Sequence, residues 1–221
     1  MRRDSVFQQL EQEWSAVVAA VPRERLMRPD WLQPVPGYGP MQALVPMRAT
    51  ALFAALEDVR REWQELREWP LLRKHAEAKV NPGWTYKDLL AHLASWAVEM
   101  YREAEGATQG AAFDYEIHFE PKVGPTQWNA RAIEVRNAMT LEEIFDEFDD
   151  AVTRMQDLLI EVTPADLARE TRFPICMGPD PLVATIGRIT AMKCFHDRYH
   201  FEQIRTRLAA LEQESRYEGR D

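Results

Sequence analysis

Two histidines four residues apart are the features of this sequence that best suit chemistry. His196 and His200 lie in the stretch ITAMKCFHDRYHFEQIR, and in a helix this spacing places both imidazoles on one face, one turn apart. His92 lies one turn from Trp96 on the apolar face of an earlier helix. Three imidazoles brought together would bind a divalent metal ion and leave a fourth position for water or substrate. An all-nitrogen set suits Zn, Ni, Fe, Co or Cu.

The same histidines have a second interpretation. A lone His-x3-His pair occurs by chance in many helices, and buried histidines can also be hydrogen-bonded core residues or the remnant of a lost site. A non-catalytic bundle that binds a small ligand, or acts as an interaction module, would fill the space above the histidines with side chains such as Trp96 or Phe195. An enzyme needs an accessible cavity there.

The composition favours a single cytoplasmic domain with an N-terminal elaboration. The chain has 221 residues, 46% of them hydrophobic, and 36 acidic against 27 basic residues give a formal net charge of −9. No basic stripe interrupts this balance, so we expect no nucleic-acid partner. No apolar run has the length that a bilayer requires, and the residues after Arg3 are amphipathic rather than a secretory signal, so we expect no membrane partner. Cys176 and Cys194 are too few for a disulfide framework and are expected to be reduced.

The N-terminal part of the chain, residues 1–47, differs from the rest. Apolar residues recur at helical spacing from Phe7 to Val21, which predicts a short leading helix. Residues 28–46 contain five of the chain's 14 prolines, which predicts an extended, Pro-rich arm. The bundle itself is expected at residues 48–212, followed by a polar C-terminal tail at 213–221.

Apolar stripes at helical spacing predict four principal helices in the bundle. The first ends near Trp69, before Pro70. The second begins at Thr85 with Asp88 in the spacing of a capping box, and Gly106 is expected to stop it. The following loop, 106–126, has room for a short strand or turn.

The third helix is predicted to begin near Gln127, to break at Met139 and to resume at a capping box formed by Thr140 and Glu143. Its acidic residues are expected to form a solvated face: Glu142, Glu143, Asp146, Glu147, Asp149 and Asp150. A loop with the sequence FPICMGPDP then precedes the last helix, which is expected to start at about Leu182. The fold class is therefore an all-α four-helix bundle, which can build a metal site from side chains on facing helices.

Three motifs carry a resemblance to a known family. The first is GWTYKDLLAHLASW with His92, the second is HDRYHFEQIR with His196 and His200, and the third is QWNARAI around Asn129. Together they resemble the DinB-like superfamily of bacterial four-helix-bundle proteins, over roughly residues 48–212. The resemblance implies a bundle of the up-down-down-up type.

The resemblance also implies a function. It implies a divalent metal ion, most often zinc or nickel, bound by His92, His196 and His200 with water completing the shell, and it implies homodimers. Family members with known chemistry include metal-dependent transferases and isomerases that use a low-molecular-weight thiol, and also hydrolases that act on small molecules. No catalytic residue beyond the metal ligands follows from it.

Two polar residues near the histidines, Asp88 and Lys193, have two interpretations each. Asp88, one turn before His92, is either an acceptor for the outer nitrogen of that ring or simply a helix cap. Asp197 and Glu99 are expected at the surface by helical phase. Lys193 either binds an anionic group of a substrate or extends to solvent at the edge of the core.

The other histidines and cysteines have ordinary interpretations, with two alternatives left open: a substrate lid formed by the loop that contains His118, and an approach of the loop that contains Cys176 to the mouth of the bundle. His75 is predicted to be exposed in a connection, and His118 lies in the loop after the second helix. Cys194 is about 200° around the helix from His196 and should face away from the site.

Overall fold

The computed structural model describes residues 49–110, 126–175 and 182–218. The expected leading helix, the Pro-rich arm, His118, Cys176 and most of the loop 106–126 lie outside the described residues. The described elements, in chain order, are α1 (Ala49–Arg67), α2 (Pro70–Lys74), α3 (Tyr86–Gln109), α4 (Thr126–Arg136), α5 (Leu141–Glu161), α6 (Pro164–Leu167), β1 (Glu170–Ile175), β2 (Leu182–Thr185) and α7 (Ile186–Glu218).

The two predicted capping boxes are both present. At the start of α3, the Thr85 hydroxyl accepts from the backbone N–H of Asp88 at 3.0 Å, and the Asp88 carboxylate accepts from the backbone N–H of Thr85 at 2.7 Å. Thr140 and Glu143 make the same reciprocal pair at the start of α5. The break near Met139 is confirmed, because α4 ends at Arg136 and four residues separate it from the start of α5 at Leu141.

Two predicted helix boundaries were wrong. Gly106 does not stop α3, which continues to Gln109 and ends at Gly110, whose φ of 67° is the left-handed conformation that favours glycine. The last helix starts at Ile186 rather than Leu182. This helix continues past residue 212 to Glu218. The domain boundaries expected from the sequence stay predictions.

Two short strands flank residues 176–181, the part of the expected Pro- and Gly-rich loop that lies outside the described residues. Strands β1 and β2 pair antiparallel, with Glu170 opposite Thr185 and Ile175 opposite Leu182. Val183 and Thr185 are β-branched residues, which favour a strand over a helix start. The Thr185 hydroxyl then accepts from the backbone N–H of Arg188 at 3.2 Å and so caps α7.

The bundle has the predicted up-down-down-up arrangement. Helix α1 packs against α5 and α7, and α3 packs against the same two helices, so α1 and α3 lie diagonally opposite. One layer of the core contains Leu56, Met100, Met155 and Lys193, and a second contains Trp63, Phe148 and Phe201. From the first layer to the second, residue numbers rise along α1 and α7 and fall along α5. Residue numbers also fall along α3, because Met100 lies in the first layer and His92 lies beside His196 and His200, near the second.

An aromatic cluster holds the second layer together. Trp63 is fully buried and stacks on Phe148 with ring centroids 4.0 Å apart. Its indole N–H donates to the backbone carbonyl of Phe145 at 3.1 Å, a contact that joins α1 to α5. Because the only polar atom of the indole has a partner, the whole ring can be buried without an unsatisfied donor.

The acidic face of α5 is less solvated than predicted. Arg67 at the end of α1 contacts Glu142 and Asp146, both at 2.7 Å, and lies 3.5 Å from Asp149. Hydrogen bonds from Arg67 lower the pKa of Glu142. The acidic residues therefore also tie α5 to α1 and are not simply a solvent-facing surface.

Loss of the Thr140 cap should destabilise the bundle. The Thr140→Ala substitution removes one side-chain acceptor at the start of α5, so we expect the free energy of unfolding to fall by about 1 kcal/mol in urea titrations. Thr206→Ala, at an exposed position of α7, is the matched control and should change it by less than about 0.5 kcal/mol. Equal effects of the two substitutions would contradict the capping role.

Candidate metal centre

The antiparallel packing of α3 and α7 brings the three histidines together. One ring nitrogen of His92, one of His196 and one of His200 all lie within 4.8 Å of one another. The Nε2 atoms of His92 and His196 are 3.0 Å apart. The ring centroids of His196 and His200 are separated by 4.6 Å, as expected for residues one turn apart on one face. The cluster predicted from the sequence is therefore present in the fold.

Two of the three rings are oriented by acceptors on their outer side. Nδ1 of His196 lies 3.2 Å from Oδ1 of Asp197, and Nδ1 of His200 lies 2.8 Å from Oε1 of Gln203. The amide nitrogen of Gln203 donates in turn to the hydroxyl of Tyr199 at 2.9 Å. Because Nδ1 of each ring is engaged in this way, Nε2 is the nitrogen left to face the centre of the cluster.

His92 has a different environment from the other two rings. It is 4% exposed, and its Nδ1 has no hydrogen-bond partner among the residues that the structure describes. Burial lowers the pKa of His92, and the side chain of Asn129 on α4 opposes this shift. The Asn129 side-chain oxygen accepts from the indole N–H of Trp96 at 3.0 Å. Helix α4 is thereby joined to the site.

Tryptophans surround His92. The ring of Trp84 lies 4.7 Å from the His92 ring, and Trp96 packs on Trp128 of α4 at 4.3 Å. Trp96 itself meets His92 edge-on at 6.3 Å. These rings form an apolar wall beside the His92 ring, which is 4% exposed.

Burial keeps the three imidazoles neutral. It lowers the pKa of His92 and of His196 well below the usual histidine value, and the neighbouring histidines lower both further. Burial also lowers the pKa of His200 to about 4, although Gln203 and Asp197 oppose the shift. Neutral rings at physiological pH have the lone pairs that a metal ion requires.

The prediction that Asp197 lies at the surface was wrong. Its side chain is fully buried, and burial raises its pKa to about 6 while Lys193 opposes the rise. Lys193 does not extend to solvent either: it is 3% exposed and forms an ion pair with Asp197. The prediction failed because it used only the angular position of Asp197 on the helix. That position does not show that a lysine one turn away can pair with the carboxylate and be buried with it.

Three other expectations can be compared with the structure. Asp88 acts as the helix cap, with its carboxylate directed at the Thr85 backbone. Glu99 is only 17% exposed, and burial raises its pKa against the effect of Arg102. His75 is half-buried rather than exposed.

Cys194 lies in the apolar core. Its side chain is fully buried, and this burial raises the pKa of its thiol far above the usual range. A thiol held in its protonated form is a poor nucleophile. Cys194 is therefore unsuited to act as a nucleophile.

Several residues at the site were not identified from the sequence. Gln203 is three residues after His200 and so lies on the same face of α7, a spacing that could have revealed it. Trp84 lies just before the cap of α3, and its contact with the His92 ring could not be read from helical periodicity. The bond between Asn129 and Trp96 joins two helices, and sequence spacing contains no signal for it.

The fold and the three-histidine cluster define a four-helix-bundle protein with a candidate metal centre. The chain belongs to the DinB superfamily, whose family model matches residues 45–204. A crystal structure of a protein from Streptococcus pneumoniae is similar in fold, with a TM-score of 0.52, 11% sequence identity, and coverage of 72% of this chain and 90% of that one. A comparison with curated proteins found no match. Among the described residues, no helix is both long and apolar enough to cross a bilayer.

The lowered pKa of His200 predicts how the stability of the metal-free protein depends on pH. An unfolded histidine binds a proton near pH 6.5, whereas folded His200 does so only near pH 4. The stabilising contribution of neutral His200 is therefore complete above about pH 6.5 and is lost as the pH falls towards 4, by at most about 1.4 kcal/mol per pH unit.

Urea titrations in the presence of a chelator can measure this contribution. The difference in unfolding free energy between the parent and His200→Gln should be constant above about pH 6.5 and should decrease below it, in the direction that disfavours the parent. A difference that does not vary between pH 7.5 and pH 4.5 would show that His200 titrates normally in the folded protein.

Proposed function

We propose that the protein binds a divalent metal ion through His92, His196 and His200. The observation that supports this most strongly is the convergence of three ring nitrogens within 4.8 Å. Two of the rings also have acceptors on their outer nitrogens, the usual arrangement around metal-bound histidines. Three neutral imidazoles fit zinc or nickel, and three protein ligands leave a position for water or substrate.

A metal-dependent reaction on a small molecule is the function that this site supports best. When bound, such an ion lowers the pKa of a water molecule or thiol and supplies a nucleophile at neutral pH. Asp197 and Gln203 orient two of the ligand rings, and the tryptophans around His92 limit the access of bulk water. We propose a transferase that uses a low-molecular-weight thiol, or a hydrolase, as the reaction class.

A second candidate is a non-catalytic bundle in which the histidines are structural. The 3.0 Å separation of Nε2 of His92 and Nε2 of His196 favours it, because one ring can donate to the other at this distance without any metal ion. Such a protein would bind a small ligand or a partner chain. The metal content of the purified protein distinguishes the two candidates.

The surroundings in which the protein works are also part of the proposal. We propose a cytoplasmic homodimer that acts on a small molecule and has no nucleic-acid or membrane partner. The formal charge of −9 supports the absence of nucleic acid.

Elemental analysis by mass spectrometry tests the metal site directly. Protein purified without a histidine tag should contain near-stoichiometric zinc or nickel, and the His196→Ala/His200→Ala double variant should contain almost none. His75→Ala is the matched control, because it removes a half-buried histidine outside the cluster, and it should keep the metal.

Two results would contradict the proposal. A parent protein that remains free of metal after incubation with zinc and with nickel would leave the non-catalytic candidate. Equal metal content in the double variant and the parent, with both folded by circular dichroism, would place the ion elsewhere.

A further inference from the structure

The feature that the proposed function does not explain is a buried lysine beside the cluster. Lys193 is 3% exposed and lies one turn before Asp197 on α7, and Asp197 is fully buried. The ammonium group contacts Oδ2 of Asp197 and lies 4.5 Å above the ring of Phe148. A buried ion pair of this kind contributes little net stability compared with apolar residues of the same size. Stability alone therefore does not account for this pair.

The two oxygens of Asp197 have different partners. Oδ2 accepts from Lys193, and Oδ1 lies 3.2 Å from Nδ1 of His196. A lysine ammonium group can only donate, and an ionised carboxylate can only accept. Nδ1 of His196 must therefore carry the proton of the neutral ring. Nε2 of His196, the atom that lies 3.0 Å from Nε2 of His92, then has its lone pair directed at the cluster.

We propose that Lys193 and Asp197 together lock His196 in the tautomer that can bind a metal ion. Asp197 is the positioning residue, and Lys193 ensures that both of its oxygens act as acceptors. The importance of this lock for metal binding rests on the proposed function. The assignment of the His196 proton to Nδ1 does not, because it follows from the hydrogen-bond partners of Asp197 alone.

The donor pattern makes a specific prediction for Asp197→Asn. Asparagine offers one oxygen and one NH₂ group, and Lys193 can be satisfied only by the oxygen. The NH₂ group would then face Nδ1 of His196, which would become an acceptor, and the ring proton would move to Nε2. The atom that should hold the metal ion would be blocked, although the side chain at 197 has almost the same shape.

Removal of Lys193 should reverse this effect. In the Lys193→Met/Asp197→Asn double variant no ammonium group claims the asparagine oxygen, so the amide can turn and accept from Nδ1 of His196. Methionine fills a similar volume and packs well against an aromatic ring such as Phe148. A residue pair with a purely structural role would show no such rescue.

The first measurement is zinc affinity by competition with a chromophoric chelator. Asp197→Asn should bind zinc roughly 10- to 100-fold more weakly than the parent, and the double variant should recover most of this loss. Asp58→Asn is the matched control, because Asp58 is a buried aspartate paired with Arg61 on α1, and it should bind like the parent. The lock is refuted if folded Asp197→Asn binds like the parent, or if the folded double variant binds no better than Asp197→Asn.

The second measurement is ¹⁵N NMR of the histidine rings in the metal-free parent, which needs no variant to fold and no metal to bind. His196 should carry its proton on Nδ1, and a proton on Nε2 would overturn the lock. The two proposals can fail separately. A parent with the Nδ1 proton and no affinity for zinc or nickel would remove the metal function alone, whereas zinc bound equally by the parent and Asp197→Asn would remove the lock alone.

Discussion

The packing of three uncharged imidazoles between α3 and α7, with His92 buried and His196 and His200 partly buried, is the constraint on which the rest of the site depends. A buried polar group is costly unless it has a hydrogen-bond partner, so each ring creates a requirement next to it. Gln203 meets the requirement of His200, and Asp197 meets that of His196. Asp197 is itself a buried charge, and Lys193 supplies its counter-ion. The polar side chains on this face of α7 thus partner the histidines and one another.

The bundle makes this arrangement possible through its topology. Because α1 and α3 lie diagonally opposite, both pack against α5 and α7, and the connection between α1 and α3 must cross the bundle. Trp84 lies in this connection and contacts the His92 ring. Trp128 lies on α4, in the connection between α3 and α5, and packs on Trp96. The rigid layer around Trp63 on the other side of the core keeps the antiparallel register of α1 and α5.

Local signals in the sequence predicted the parts of the structure that depend on local physics. The capping boxes at Thr85 and Thr140 involve residues three apart, and both were predicted correctly. The triad was also found, because His92 and the pair on α7 occupy apolar stripes. The stripes predict which helix faces are buried, and two buried faces of one bundle must meet.

The errors came from interactions that involve more than one local pattern. Asp197 was assigned to the surface, and Lys193 either to a substrate group or to solvent, because each was considered alone, whereas the two charges are buried as a pair. Strand β2, which ends at Thr185, is stabilised by its pairing with β1. Helical periodicity in the sequence contains no signal for such a pairing. Gly106 was expected to end α3, but a glycine inside a packed helix costs only about 1 kcal/mol, which the surrounding contacts offset.

X-ray absorption spectroscopy of the metal-loaded protein tests the central claim most directly, because it counts the atoms bound to the ion. We predict three imidazole nitrogens and at least one further light atom that is replaced when a small thiol or anion is added. A shell that contains protein sulfur, fewer than three imidazoles, or four protein ligands with no exchangeable position would contradict an open three-histidine site.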